Sequence, residues 1–537
     1  MFHNSTSDYP YASRRTAVYA RKGMVATTAP KAAQIGLSVL QQGGNAIDAA
    51  IATAAALTVL EPTSNGIGGD AFALVWIKGE LYGLNASGPA PMHANPELIK
   101  AQGFSEMPLH GWIPVTVPGC PSGWVELSKR FGKLPLIQTM QGAIDIAREG
   151  FVVSPTIAAQ WQGAAKIADK DENGAATAHW REVFLPNGVA PKAGDIVKFE
   201  LHANTLEEIA HTNGDSFYKG ELAKAILQHS KLTGGVLCAE DLANYKAQWV
   251  DPISVNYKGY DIWEIPPNGQ GMLALMALKI LEKMPLEQRD STLSFHRQIE
   301  AMKLAYVDGQ RYITQEDMMD ASVKDMLSDR YADQRRALIS DTAMLPKPGK
   351  PQAGGTVYLA CADEEGNMVS FIQSNYHDFG SRVVVPNTGI CLQNRGRGFS
   401  LDSTAANYFQ GGKKPLHTII PAFITKDNQA IAAFGVMGGF MQPQGHVQMV
   451  TNMIDFKLNP QAALDAPRWQ WMKDREITLE HAVPINIAKG LAKRAHQVKV
   501  CHDSEDFGRG QIILRDPDSG VLLGGTEARA DGYIAAY

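Results

Sequence analysis

The sequence predicts an α+β fold, on three observations. Two apolar helical segments follow each other closely near the start, at residues 31–42 and 46–60. Two apolar extended runs, 356–362 and 368–374, flank a short loop containing Gly366, which is the pattern of an antiparallel hairpin. Between these regions helical and extended pieces alternate.

The elements follow in order. Thr27 or Thr28 precedes Pro30, and a polar cap followed by Pro in the first turn starts a helix at 31. Gly43-Gly44 ends it. Asn45 then caps a second helix, apolar nearly all round and therefore buried on most sides. Residues 65–70 form a glycine-rich turn into a buried strand at 71–77. Helices are expected at 135–148, 205–211, 273–283 and 295–312, the last with Ile299, Met302, Ala305 and Tyr306 on one face. Residues 255–265 alternate as one strand and stop at the tight turn 266–271. Residues 345–355, rich in Pro, Gly and Lys, read as an exposed linker. Beyond the hairpin a strand at 430–434 runs into Gly438-Gly439, with a helix at 444–456.

Composition narrows the function classes. With 45% hydrophobic and 20% charged residues in 537, the chain is that of an ordinary globular protein with room for a large core. A formal charge of −5 carries no basic excess for nucleic acid. The five cysteines are scattered, which disfavours a disulfide framework or structural zinc. The fourteen histidines show no metal-ligand spacing, so no metal is expected. Residues 66–69 do not fit a dinucleotide fingerprint, and no cofactor is expected. The polar first residues lack an apolar signal core, and 46–60 is too short to span a membrane. The expectation is a cytoplasmic protein.

Thr356 draws attention as the residue after a Gly-Gly that closes the linker. If the Gly355–Thr356 bond were cut, Thr356 would carry a hydroxyl and a free α-amine, and the amine can serve as base for the hydroxyl. Its usual pKa, about 7.7–8.0, suits that task. Ser374, at the far end of the hairpin, falls within reach of Thr356. Backbone N–H groups at Gly438 and Gly439 suit an oxyanion. Each feature has a plain alternative: loop chemistry, a strand-terminal serine, a strand-to-helix turn.

Taken in order, several segments resemble the γ-glutamyltranspeptidase family of N-terminal nucleophile hydrolases. They are residues 43–50, 61–69, 241–245, the Pro266-Pro267 turn, Thr356, the loop 363–367, Phe379-Gly380-Ser381, Pro415-Leu416 and Gly438-Gly439. The resemblance spans roughly residues 22–535. It implies a four-layer αββα sandwich of two facing antiparallel sheets. It implies a proenzyme that cuts itself before Thr356 into a large subunit, 1–355, and a small subunit, 356–537. Thr356 would then form an acyl-enzyme, helped by Ser374 and by the amides of Gly438 and Gly439. Water or an amine would accept the acyl group from a small-molecule amide donor. An oligomer of such heterodimers is left open.

The donor pocket departs from the family pattern. Ser87 stands where an Arg for the glutamyl α-carboxylate is expected. Arg395 and Gly398 stand where a Gln and an Asp for the α-amino group are expected. Tyr376 replaces a frequent Asn, and His417-Thr418 replaces a serine pair. These departures resemble the branch that includes glutaryl-cephalosporin acylases, because an acyl chain ending in carboxylate suits Arg395. In the competing reading Arg395 and Arg397 are solvated or make structural salt bridges. Residues 399–415 are short for a lid, so an open site without a tyrosine-bearing lid is expected. Three functions remain: a γ-glutamyltransferase-like (glutathione hydrolase-like) proenzyme, a glutaryl-type ω-carboxyacyl amidase, and an uncleaved binding protein without catalysis.

Overall fold

In the computed structural model, which describes residues 11, 15–168, 174–346 and 355–537, two antiparallel seven-stranded sheets carry the site. The first runs Tyr533–Ala536, Gly23–Thr27, Gly355–Asp363, Met368–Tyr376, Asp70–Ile77, Glu80–Ala86, Gln248–Val250. The second runs Val18–Ala20, Leu522–Thr526, Arg509–Arg515, Gln429–Met437, Ala422–Lys426, Tyr260–Glu264, Ile253–Tyr257. Both sheets take strands from either side of residue 356, so the expected subunit boundary divides one shared body. Most of the linker expected at 345–355 lies outside the described residues.

Side-chain alternation produces the layers. Along Gly355–Asp363, Tyr358, Ala360 and Ala362 pack between the sheets with Phe72, Ile372, Phe423 and Ala433. Val357, Leu359 and Cys361 point the other way, into a core with Ile47, Ile51 and Leu57 of the helix Ala46–Leu60. On the far side Ile424, Phe434 and Ile512 meet Met272, Ile299 and Met302 of the helices Gly271–Leu281 and Thr292–Tyr312. The result is helices, sheet, sheet, helices, the expected αββα sandwich. Both faces of each sheet are covered, which is why the strands are apolar at successive positions. The sheets touch at Gly435, where a Cβ would fall 2.4 Å from the Tyr358 ring.

The Asn45 cap forms as expected. Its side chain accepts from the amides of Ile47 and Asp48, and Asp48 accepts from the Asn45 amide. Asp363 in the hairpin loop accepts from the amide of Ala46 at 2.8 Å, docking the hairpin on that helix. One expectation fails: residues 255–265 are two strands, Ile253–Tyr257 and Tyr260–Glu264. Lys258 and Gly259 turn between them with φ of 51° and 85°. Two positive φ values make the tight hairpin turn whose twist matches its strands. Lys at the first position hides it, because Asn or Asp is the usual signal.

Candidate active site

Thr356 sits at a bulge. Gly355 pairs with Tyr376 and Val357 with Gln373, so Thr356 alone opposes both Ser374 and Asn375. An extra residue in one strand bends it and re-aims its side chains. The Thr356 hydroxyl donates to Ser374 Oγ at 3.3 Å. Ser374 Oγ also accepts from the Tyr376 amide at 2.7 Å. That contact comes with a left-handed backbone at Tyr376, φ 80°, a strained conformation for an aromatic residue. Thr356 is 2% exposed and Ser374 is fully buried. Neither hydroxyl residue is open to solvent, with Gly355 and Thr356 both in the strand Gly355–Asp363. The tyrosine of residues 399–415, Tyr408, has the Lys100 ammonium 5.7 Å from its ring centre.

Gly438 and Gly439 follow Met437 with φ of 133° and 57°, in the region that favours glycine. The helix Met441–Ile454 begins just beyond. Gln270 braces this turn: its Nε2 donates to Gly439 O at 2.9 Å and to Thr418 O at 2.6 Å.

The two arginines expected at the donor end lie in different surroundings. Arg397 ion-pairs with the exposed Glu106 at 2.9 Å, the salt-bridge reading. Arg395 is fully buried. Its Nη1 donates to Thr418 Oγ1 at 2.7 Å, and its guanidinium lies 4.2 Å from the centre of the Tyr376 ring. Its Nε and Nη2 have no hydrogen-bond partner. Burial lowers its pKa to about 10, while Asp70 and Tyr376 pull the other way, and it remains a cation at neutral pH.

Ser87 is buried and uncharged. Its hydroxyl donates to Asn85 Oδ1 at 2.6 Å and accepts from Asn268 at 3.2 Å. Asn268 in turn donates to Pro415 O at 2.8 Å. His417 is buried beneath Phe72, with ring centres 4.8 Å apart. Its Nδ1 accepts from the Ile419 amide at 3.3 Å, so the ring proton sits on Nε2 and is donated to Asp70 Oδ2 at 3.1 Å. Burial, then Arg395 and Lys414, hold the His417 pKa well below its usual value, so the ring is neutral. Asp70 and Gln270 were not singled out in the sequence. A lone Asp between Gly-Gly and an apolar strand was the available signal for the first.

A metal-ligand spacing was also overlooked. Among the described residues His296, Glu300 and His496 place ligand atoms within 4.8 Å of one another. The buried Lys303 ammonium occupies Glu300 at 2.6 Å, and the two histidines bond each other at 2.8 Å. Glu300 Oε2 accepts from the Met344 amide at 2.9 Å. The cluster thus anchors the chain ahead of residue 345, and a cation there would face Lys303.

Residues 32–537 match the family described as Gamma-glutamyltranspeptidase. The chain belongs to that family. A crystal structure of cephalosporin acylase from Bacillus halodurans is 55% identical, with a TM-score of 0.96 and 99% of each chain covered. The glutathione hydrolase-like YwrD proenzyme of Bacillus subtilis strain 168 is 34% identical, over 96% of this chain and 98% of that protein. The oxamate amidohydrolase proenzyme of Klebsiella pneumoniae is 33% identical over the same shares. This γ-glutamyltranspeptidase-family chain is accordingly an amidohydrolase or acyltransferase of the N-terminal nucleophile type, made as a proenzyme. No described helix is long and apolar enough to cross a membrane.

Proposed function

We propose that the chain cuts itself between Gly355 and Thr356, and that Thr356 then removes acyl groups ending in a carboxylate, of the glutaryl type, from amides. The cut gives subunits 1–355 and 356–537. The freed α-amine of Thr356 takes the hydroxyl proton as Oγ1 attacks the donor carbonyl. Ser374 orients that hydroxyl. The amides of Gly438 and Gly439 hold the oxyanion. The acyl-enzyme then passes its acyl group to water or an amine.

One observation carries the donor class: Arg395 is a fully buried guanidinium with two nitrogens lacking partners. Leaving buried donors unmade costs about 1–3 kcal/mol each, and a carboxylate accepting from both recovers that. A γ-glutamyl donor would bring an ammonium group to the same place. Gly398 offers it no carboxylate, and Asp70 already accepts from His417. Thr418 and Tyr376 hold Arg395, while Ser87 and His417 tie together neighbouring segments. The five free cysteines fit a reducing compartment, and the cytoplasm is the proposed location.

Hydrolysis of glutaryl and γ-glutamyl anilides by the processed enzyme tests the donor class. The glutaryl compound should be preferred at least about tenfold in kcat/KM. Arg395→Leu should lower its turnover about 10²-fold, in line with loss of a buried charge pair. A clear preference for the γ-glutamyl compound, or unchanged glutaryl hydrolysis in the variant, overturns it.

A further inference from the structure

Asp70 is a buried carboxylate set among cations that do not touch it. It lies at the start of the strand Asp70–Ile77, directly across from Ser374. Among the described residues its neighbour at ion-pair distance is His417, a neutral ring locked by Ile419. Two cations act on it from other elements: Arg395, and Lys414, whose Nζ donates to Gln248 Oε1 at 2.9 Å. The amides of Gly88 and Gly119 also favour its charged form. Among the described residues, the other titratable groups whose charge couples to it are Cys120, Tyr218 and Tyr245, all held protonated by burial. Two cations and one carboxylate therefore share this neighbourhood before any donor enters.

Building on the carboxylate-donor reading, we infer that Asp70 sets the charge selectivity of this pocket: it takes a proton from solvent when an acyl carboxylate docks on Arg395. The bound carboxylate brings a second negative charge beside Asp70 and claims the guanidinium that was stabilising it. Two carboxylates sharing one low-dielectric site do not both stay ionised, so one accepts a proton. The donor's carboxylate has Arg395 in hydrogen-bonding reach and stays charged; Asp70 has a neutral imidazole and gains the proton. Nothing else is consumed: enzyme, anionic donor and one proton give the protonated complex. Asp70 acts through Arg395 and is a positioning residue.

Burial places the Asp70 carboxyl at about 7, against the pull of Arg395, and the Lys414 ammonium at about 8, with Asp70 raising it. Both titrate where proton uptake is readable, and an arriving anion raises both. Binding of the anionic donor therefore weakens as pH rises above 7, by up to about tenfold in KM per pH unit for one linked proton. A donor without the terminal carboxylate shows no such slope.

Calorimetry of glutarate binding to the processed wild-type enzyme tests this, in two buffers of different ionisation enthalpy at pH 7.5 and pH 5.5. The expected result is uptake of about half a proton or more at pH 7.5 and close to none at pH 5.5. The KM of glutaryl anilide should rise with pH in the wild type and lose most of that rise in Asp70→Asn, while KM for pentanoyl anilide stays flat in both. Buffer-independent enthalpies with glutarate bound overturn the role of Asp70 and leave the donor reading standing. Glutarate that does not bind, with glutaryl anilide untouched, overturns both.

Discussion

Arg395 and Arg468 are both fully buried, and the protein treats them differently. Arg468 ion-pairs with Glu527 at 2.7 Å, and its guanidinium also donates to the carbonyls of Phe507, Gly508 and Leu464. Glu527 in turn accepts from Arg529 and from the Gly510 amide, and Arg529 pairs with Glu480. Arg395 has Thr418, the Tyr376 ring and two nitrogens without partners. A buried charge met by a carboxylate and three carbonyls, with only its Nε left without a partner, holds structure together. A buried charge with two nitrogens left open is, on the proposed function, completed by the donor's carboxylate.

The largest effect should come from opening the Arg468 network. Arg468→Ala removes one of the two arginines on the buried Glu527 carboxylate and withdraws a donor from three buried carbonyls; it should cost about 3–5 kcal/mol, read as a fall in the denaturant midpoint of the processed protein. Arg395→Leu should leave that midpoint within about 1 kcal/mol of wild type, because a leucine replaces an incompletely paired charge. Equal losses in the two variants would erase the distinction.

The two regions should also answer pH in opposite senses. Burial alone would raise the Glu527 carboxyl, but Arg468 and Arg529 outweigh it and hold it at about 2, below its ordinary 4.5. Its contribution is full above pH 4.5 and is lost as pH falls towards 2. Asp70 goes the other way, from 3.8 up to about 7. Its folded form prefers the proton, so its contribution is full below pH 3.8 and is lost as pH rises through 7. Asp70→Asn should therefore gain stability relative to wild type between pH 5 and pH 8 in denaturant titrations. Parallel profiles would contradict this. The smallest effect belongs to Arg397→Ala, which should change glutaryl turnover less than about threefold, since exposed pairs contribute little.

What the sequence revealed, and what it hid, follows the range of the interactions. The Asn45 cap, the hairpin at Thr356 and the reach from Thr356 to Ser374 depend on neighbours a few residues apart or on one turn, and local patterns state them. The bulge opposite Thr356 does not show, because Gly355–Asp363 and Met368–Tyr376 read as regular runs until their register is known. Arg395 and Arg397 are two residues apart and alike in sequence; their surroundings come from Thr418, 23 residues on, and Glu106, 291 residues back. Asp70 and Gln270 escaped notice because their partners, His417 and Gly439, lie more than a hundred residues off. Ser87 was marked by what it lacks, and the structure shows its hydroxyl bonded to Asn85 and Asn268.

Thr356 joins these threads, and mass spectrometry tests it most directly. Purified protein is mixed briefly with excess glutaryl anilide, quenched in acid and weighed intact, and its peptides are then mapped. The expected result is a 182-residue chain beginning at Thr356, with a glutaryl group on its N-terminal peptide. A single unbroken chain, or a cleaved chain whose glutaryl group lies on another residue, would contradict Thr356 as the nucleophile.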